Sequence, residues 1–229
     1  AIGIGYQVSA NSYRGVTIGA TAKDVGKGVS RTGGNTLVGA GTRVVPIGNP
    51  RNLGQRNVLI GAGRGFGITP VISGQENVVV GTGITNGGAG TLIQRSKSVV
   101  SGTANVLIGG GTVSGHGHTA VGLNNQTMAS SDKGVMLGYA NEIQGTGGYQ
   151  IAIGGVSHVR NNYGMAIGLV ARSKADSAMA IGRATSAEGN QSLAIGYVAK
   201  STGTYSVAVG PDTLADGNQT VAVGYDAQA

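Results

Sequence analysis

The side chains best suited to chemistry in this chain are two histidines two positions apart, in Gly115-His116-Gly117-His118. In an extended segment alternate side chains share a face, so both imidazoles would project together. Counted back from Gly122, His116 and His118 have the parity of Ala120. Three copies of the chain would bring six imidazoles around an axis, a donor set suited to Fe, Ni or Zn. An axial transition metal at His116 and His118 is the one cofactor the sequence offers, and it requires none. The competing reading is an exposed, glycine-flanked turn. A second group is cationic. Residues 1–100 hold ten Lys/Arg against two acids, Asp24 and Glu76, whereas residues 101–229 hold six against seven. Arg43, Arg51, Arg56, Arg64 and Arg95 lie in or beside loops between short apolar phrases. Multiplied by symmetry they would form a positive collar for phosphorylated or sulfated glycan or acidic lipopolysaccharide. The plainer reading is that they solvate an apolar roll. Nucleic acid is disfavoured, because no aromatic stacking platform accompanies the charge.

Catalytic arrangements are missing. There is no cysteine, so thiol catalysis is excluded. The chain has no Gly-x-x-x-x-Gly-Lys-Ser/Thr phosphate loop, and the glycines of Gly61-Ala-Gly-Arg-Gly-Phe-Gly67 fit no dinucleotide spacing. His158 and Asp176 occupy unrelated places in their repeats. Asp212, Asp216 and Asp226 fall at corners, where aspartate shapes turns, and they lack the nonapeptide spacing of calcium-binding solenoids. Phe66, the one phenylalanine, lies in a glycine-rich loop and is expected to pack back on it. A tyrosine after the closing glycine (Tyr6, Tyr139, Tyr197, Tyr225) recurs with the repeat and is expected to cover an outer corner. These features argue for a non-enzymatic protein.

What must position these residues is a repeat. The phrase small–apolar–small–apolar–Gly returns at a constant interval of fourteen positions in Gln150-Ile-Ala-Ile-Gly154, Gly164-Met-Ala-Ile-Gly168, Ala178-Met-Ala-Ile-Gly182, Ser192-Leu-Ala-Ile-Gly196, Ser206-Val-Ala-Val-Gly210 and Thr220-Val-Ala-Val-Gly224. A fixed short period means one unit stacked on itself. Alternation with period two makes each phrase a strand, and no stretch sustains helical spacing. The closing glycine lets the chain turn a corner. A second short segment follows, and glycine recurs seven residues after the first at Gly189, Gly203 and Gly217. Each unit is therefore strand, corner, strand, corner, and the fold is an all-β parallel roll or solenoid. Glycine at 45 of 229 residues is well above the usual ~7%, yet without the period of three that collagen needs.

Upstream the grammar loosens. Closing glycines stand at Gly5, Gly19, Gly39, Gly61, Gly81, Gly109, Gly122 and Gly138, which with the regular ones gives about 14 coils. Irregular coils with inserted basic loops are expected over 1–149 and regular ones over 150–229, in one continuous solenoid. A 14-residue coil buries few medium-sized side chains against the entropy of ordering it, so association of chains is expected. The invariant small column of Ala152, Ala166, Ala180, Ala194, Ala208 and Ala222, opposite the Ile/Val column, is expected at that homotrimer interface. At the same position upstream stand Leu37, Leu59, Val79, Leu107 and Met136.

The phrases Ser192-Leu-Ala-Ile-Gly196 and Ser206-Val-Ala-Val-Gly210, with their 14-residue period, resemble the YadA-like head repeats of trimeric autotransporter adhesins, strongly over 150–229 and more weakly over 1–149. The resemblance implies a homotrimer of left-handed parallel β-rolls; the handedness comes from the resemblance alone, since parallel crossovers are ordinarily right-handed. It also implies an extracellular place on an outer-membrane-tethered fibre and attachment to host surface or matrix proteins. Collagen binding in that family is linked to an Asn-Ser-Val-Ala-Ile-Gly motif; here the phrases begin Gln191-Ser192 and Tyr205-Ser206, which departs from it. Asn57-Val-Leu-Ile-Gly61, Asn77-Val-Val-Val-Gly81 and Asn105-Val-Leu-Ile-Gly109 are similar to the looser repeats of bacteriophage tail fibres, a second reading with host-receptor binding. A glycan-cleaving tailspike is a third. The chain begins and stops inside a repeat, as a segment of a longer fibre would, and shows no membrane span or leader.

Overall fold

The computed structural model describes residues 2–5, 9–10, 16–18, 23–24, 36–38, 43–44, 58–60, 71–75, 78–80, 98–127 and 131–229. The chain divides into two compact units, Ala1–Asn124 and Asn125–Ala229. Both are built as parallel β-solenoids, and among the described residues there is no helix. The change of grammar near residue 149 falls inside the second unit.

In the second unit the phrases form strands Val135–Tyr139, Ile151–Gly155, Met165–Leu169, Met179–Arg183, Leu193–Tyr197, Val207–Val209 and Val221–Val223. Each pairs in parallel with the next, alanine on alanine from Ala152 to Ala222. The segment after each corner forms a second, two-residue strand, such as His158–Val159, Arg172–Ser173, Ser186–Ala187 and Lys200–Ser201, again in parallel register. The repeat thus stacks every residue on its equivalent one repeat away. Backbone bonds such as Leu193 N–H to Ser206 C=O and Val207 N–H to Thr220 C=O, both 2.9 Å, tie the coils together.

Two corners per coil bend the chain. After each phrase the closing glycine takes a positive φ, 141° at Gly196, and the residue two further on is left-handed, as in Val198 at 57°. Sterics fix glycine at the first site as firmly as φ does: a Cβ on Gly182 would lie 1.8 Å from the carbonyl oxygen of Gly196 in the next coil. The second corner uses Tyr163, Ser177, Gln191, Tyr205 and Gln219 in the left-handed region. Such a conformation costs about 1–2 kcal/mol for an L residue. Coil-to-coil bonds offset that cost, since the Val198 N–H reaches Arg183 C=O and the Tyr205 N–H reaches Asn190 C=O, each at 2.9 Å.

The core lies inside each coil and is made of small side chains. Ala152, Ala166, Ala180, Ala194 and Ala208 are 0% exposed, and Ala222 is buried too. The buried residues of the second strands are Val159, Ser173, Ala187, Ser201 and Ala215. This corrects the expectation that the alanine column forms a surface for another chain. Two short strands seven residues apart leave a gap too narrow for isoleucine, so the small side chains turn inward and the larger ones outward. Where a longer step between coils widens the interior, Met136 and Ile143 fill it, fully buried. Invariance and lack of charge mark an interior as well as an interface, and here they mark the interior.

In the first unit the strands Ile2–Ile4, Val16–Ile18, Thr36–Val38, Val58–Ile60, Val78–Val80 and Val106–His116 continue one parallel ladder. Val78 pairs with Val106 although a long insertion separates them in sequence, so the insertions leave the stacking intact. Leu107 is fully buried while Ile108 beside it is exposed, the same alternation as in the regular coils.

Candidate functional site

Each coil of the second unit presents two outward faces on opposite sides, because both of its strands turn small residues inward. On the phrase strands the outward residues are Ile, Leu, Met and Val. Ile167, Ile181, Leu193 and Ile195 are partly exposed, and Val221 and Val223 reach 63% and 65%. Stacked in register, they make a continuous apolar ladder. Ladders of this size on soluble proteins mark surfaces of association.

The opposite face is polar and charged. Its stacked positions read Glu142, His158, Arg172, Ser186, Lys200 and Leu214. Two residues further along each coil come Gln144, Arg160, Lys174, Glu188, Thr202 and Asp216. Glu188 accepts the Lys174 ammonium at 2.7 Å and the Ser186 hydroxyl at 2.9 Å, with the Lys200 ammonium at 3.9 Å. Partial burial works to raise the Glu188 pKa, but these hydrogen bonds and the two lysine charges outweigh it and hold the carboxyl below its usual range. His158 Nδ1 lies 3.4 Å from Glu142.

The corners carry aromatic side chains. The rings of Tyr149 and Tyr163 stack at 6.1 Å, 9° from parallel. The Lys133 ammonium lies 4.8 Å from the Tyr149 ring centre and donates to its hydroxyl at 3.0 Å. That hydrogen bond is the main reason the Lys133 pKa is raised. Tyr139, Tyr197 and Tyr225 are exposed at the other corner, as the repeat implied, and Arg183 sits 5.5 Å from the Tyr197 ring centre.

The sequence-derived candidates are distributed as follows. Arg43 lies in a two-residue strand, Arg43–Val44, of which only the backbone is described. Arg51, Arg56, Arg64 and Arg95, with Phe66 and Tyr6, lie outside the described residues. His118 is fully buried whereas His116 is exposed, and Gly117 between them has a φ of 70°. The chain therefore turns between the two imidazoles, and they lie in unlike surroundings. His118 occupies the first position of its phrase, equivalent to the buried Ser192, and so faces into its own coil. Among the described residues no group of three or more His, Cys, Asp or Glu side chains could hold a metal.

Sequence reasoning missed a set of buried asparagines three residues past the closing glycine. Asn125 accepts the Asn141 N–H at 3.1 Å and donates to Gly138 C=O at 3.1 Å. Asn141 accepts the Ser157 N–H at 3.0 Å and donates to Leu137 C=O and Gly154 C=O. Each side chain laces its own coil to a neighbour. Their common offset from Gly122 and Gly138 was the signal available.

The YadA head domain repeat model matches the chain in two copies, at residues 173–199 and 201–227. Each match covers nearly two of the 14-residue coils described above, so these coils are similar to that head repeat. No curated protein and no solved structure matches the chain. No helix among the described residues is long and apolar enough to cross a membrane.

Proposed function

We propose that the chain is a segment of an extracellular trimeric fibre whose work is attachment, as the head of a trimeric adhesin. The observation that carries this is the pairing of the YadA head-repeat match with an outward ladder of Ile, Leu, Met and Val on the same coils. Three chains packing these ladders together would cover apolar surface that one chain leaves open. The trimer seam then runs along Ile167, Ile181 and Ile195 rather than along the alanines.

Attachment would use the surface left outside the trimer. In the first unit the proposed contacts are the cations Arg43, Arg51, Arg56, Arg64 and Arg95, with anionic glycan, lipopolysaccharide or a host surface protein as partner. The cell surface, with outer-membrane tethering outside this segment, is the expected location. Beads coated with the purified chain should adhere to host cells or matrix, and the Arg51→Ala/Arg56→Ala/Arg64→Ala variant should adhere less. Equal adherence of wild-type and uncoated beads would refute the attachment role.

The irregular spacing of the first unit, with Val78 stacked on Val106 across a long insertion, favours a second reading, a virion tail-fibre segment carrying or spacing host-receptor binding. Neither reading involves catalysis. Shortened oligosaccharides after incubation with capsular or lipopolysaccharide glycans would instead establish a glycan-cleaving tailspike.

A further inference from the structure

We propose that the charged face of the second strands is a docking surface for a linear sulfated glycan, centred on Arg160 and Arg172. This rests on the attachment reading and gives it a ligand in the second unit. The two arginines lie on consecutive coils, where Arg172 pairs with His158 and Arg160 stands two residues beyond His158. Both are exposed. The carboxylates of this face engage other residues: Glu142 lies 3.4 Å from His158 Nδ1, while Glu188 takes Lys174 and, more distantly, Lys200. The two guanidiniums are left with their planar donor sets open, the geometry that grips sulfate or phosphate oxygens.

Net charge does not explain the patch. From 125 to 229 the chain carries six Lys/Arg and seven acids, so no general attraction for anions is expected. Asp212 and Asp226 are set apart in the left-handed corners, and Asp176 accepts the Asn162 N–H. Glu142 and Glu188 are engaged by His158 and the lysines, and Asp216 stands three coils beyond Arg172. That leaves Arg160 and Arg172 as the local cationic centre of the face. The face points away from the apolar ladder and stays open when copies of the chain pack on that ladder. Coil stacking repeats its positions about every 4.8 Å along one line, a spacing that suits a linear polymer bearing charge at each sugar or two. A membrane surface fits less well, because the residues stacked with the cations are Glu142, Gln144, Ser186, Glu188, Thr202 and Asp216, with Leu214 the one apolar side chain at those positions.

The test is binding of the intact chain to dextran sulfate, unsulfated dextran and anionic phospholipid vesicles. Dextran sulfate should bind and dextran should not, with affinity falling as salt rises. In an Arg51→Ala/Arg56→Ala/Arg64→Ala background, which removes most of the first unit's collar, adding Arg160→Gln/Arg172→Gln should weaken dextran sulfate binding at least about tenfold further, with an unchanged melting temperature. Arg183→Gln, on another face, should bind like wild type. No further loss when Arg160→Gln/Arg172→Gln are added to the collar variant, no binding by wild type, or preference for vesicles over dextran sulfate overturns the proposal. Sulfated-glycan binding that depends on the two arginines, with no adherence of coated beads to cells, would uphold this site and count against attachment alone.

Discussion

Ser201 and Ser206 share a hydrogen bond of 2.6 Å inside one coil. One coil earlier the equivalent positions are Ala187 and Ser192, and the buried Ser192 hydroxyl has no partner. The same fold position therefore holds a satisfied hydroxyl in one coil and an orphan in the next. A buried unpaired hydroxyl costs about 1–3 kcal/mol. Ser192→Ala should be neutral or stabilising by up to about 1 kcal/mol. Ser206→Ala, which orphans Ser201, should cost about 1–2 kcal/mol. Urea unfolding of the three proteins measures both, and a larger loss in Ser192→Ala would contradict the assignment.

Close stacking at the closing glycines makes a second contrast. A Cβ on Gly182 collides with the Gly196 carbonyl, and its φ of 131° is hostile to side chains. Gly182→Ala should lower stability by more than about 3 kcal/mol or prevent folding. Ala184→Gly, two residues on at a φ of 57°, should change it by less than about 1 kcal/mol, since glycine tolerates that conformation but loosens the unfolded chain. Soluble yield and circular dichroism melting separate the two.

Glu188 provides a pH dependence. Its folded-state pKa is depressed below the ordinary 4.5, so its contribution is present above the unfolded value and lost as pH falls through the folded one. Melting temperature should decline on acidification below about pH 4.5, and Glu188→Gln should remove part of that decline. Solvent access at this pair limits the contribution to under about 1 kcal/mol. Identical acid profiles for wild type and variant would show that the pair contributes nothing.

His116 and His118 differ in surroundings, one exposed and one buried within its own coil. Elemental analysis of purified protein should therefore find no stoichiometric transition metal. One metal per three chains would restore the axial site and require His118 to leave its interior position.

Much of the fold was legible because the repeat is short and strict. The 14-residue period gave the parallel register, and the glycines at seven-residue offsets gave the corners. Which side of each strand faces inward was not legible. An uncharged, invariant alanine column fits an interior and an interface equally well, and only the width of the coil decides between them. That single parity choice also sent His118 toward an axis when it lies inside its coil. The charged face escaped notice for a different reason. Arg160 and Arg172 are well separated in sequence, and only the coil geometry makes them neighbours.

In the proposed fibre, chains meet through the Ile, Leu, Met and Val ladder, with the alanines sealed inside each chain. Sedimentation equilibrium on wild type and on Ile167→Asp/Ile181→Asp/Ile195→Asp tests it most directly. The account predicts three times the mass of one chain for wild type and a single-chain mass for the triple variant. A wild-type protein sedimenting as one chain, or a triple variant that remains trimeric, would contradict it.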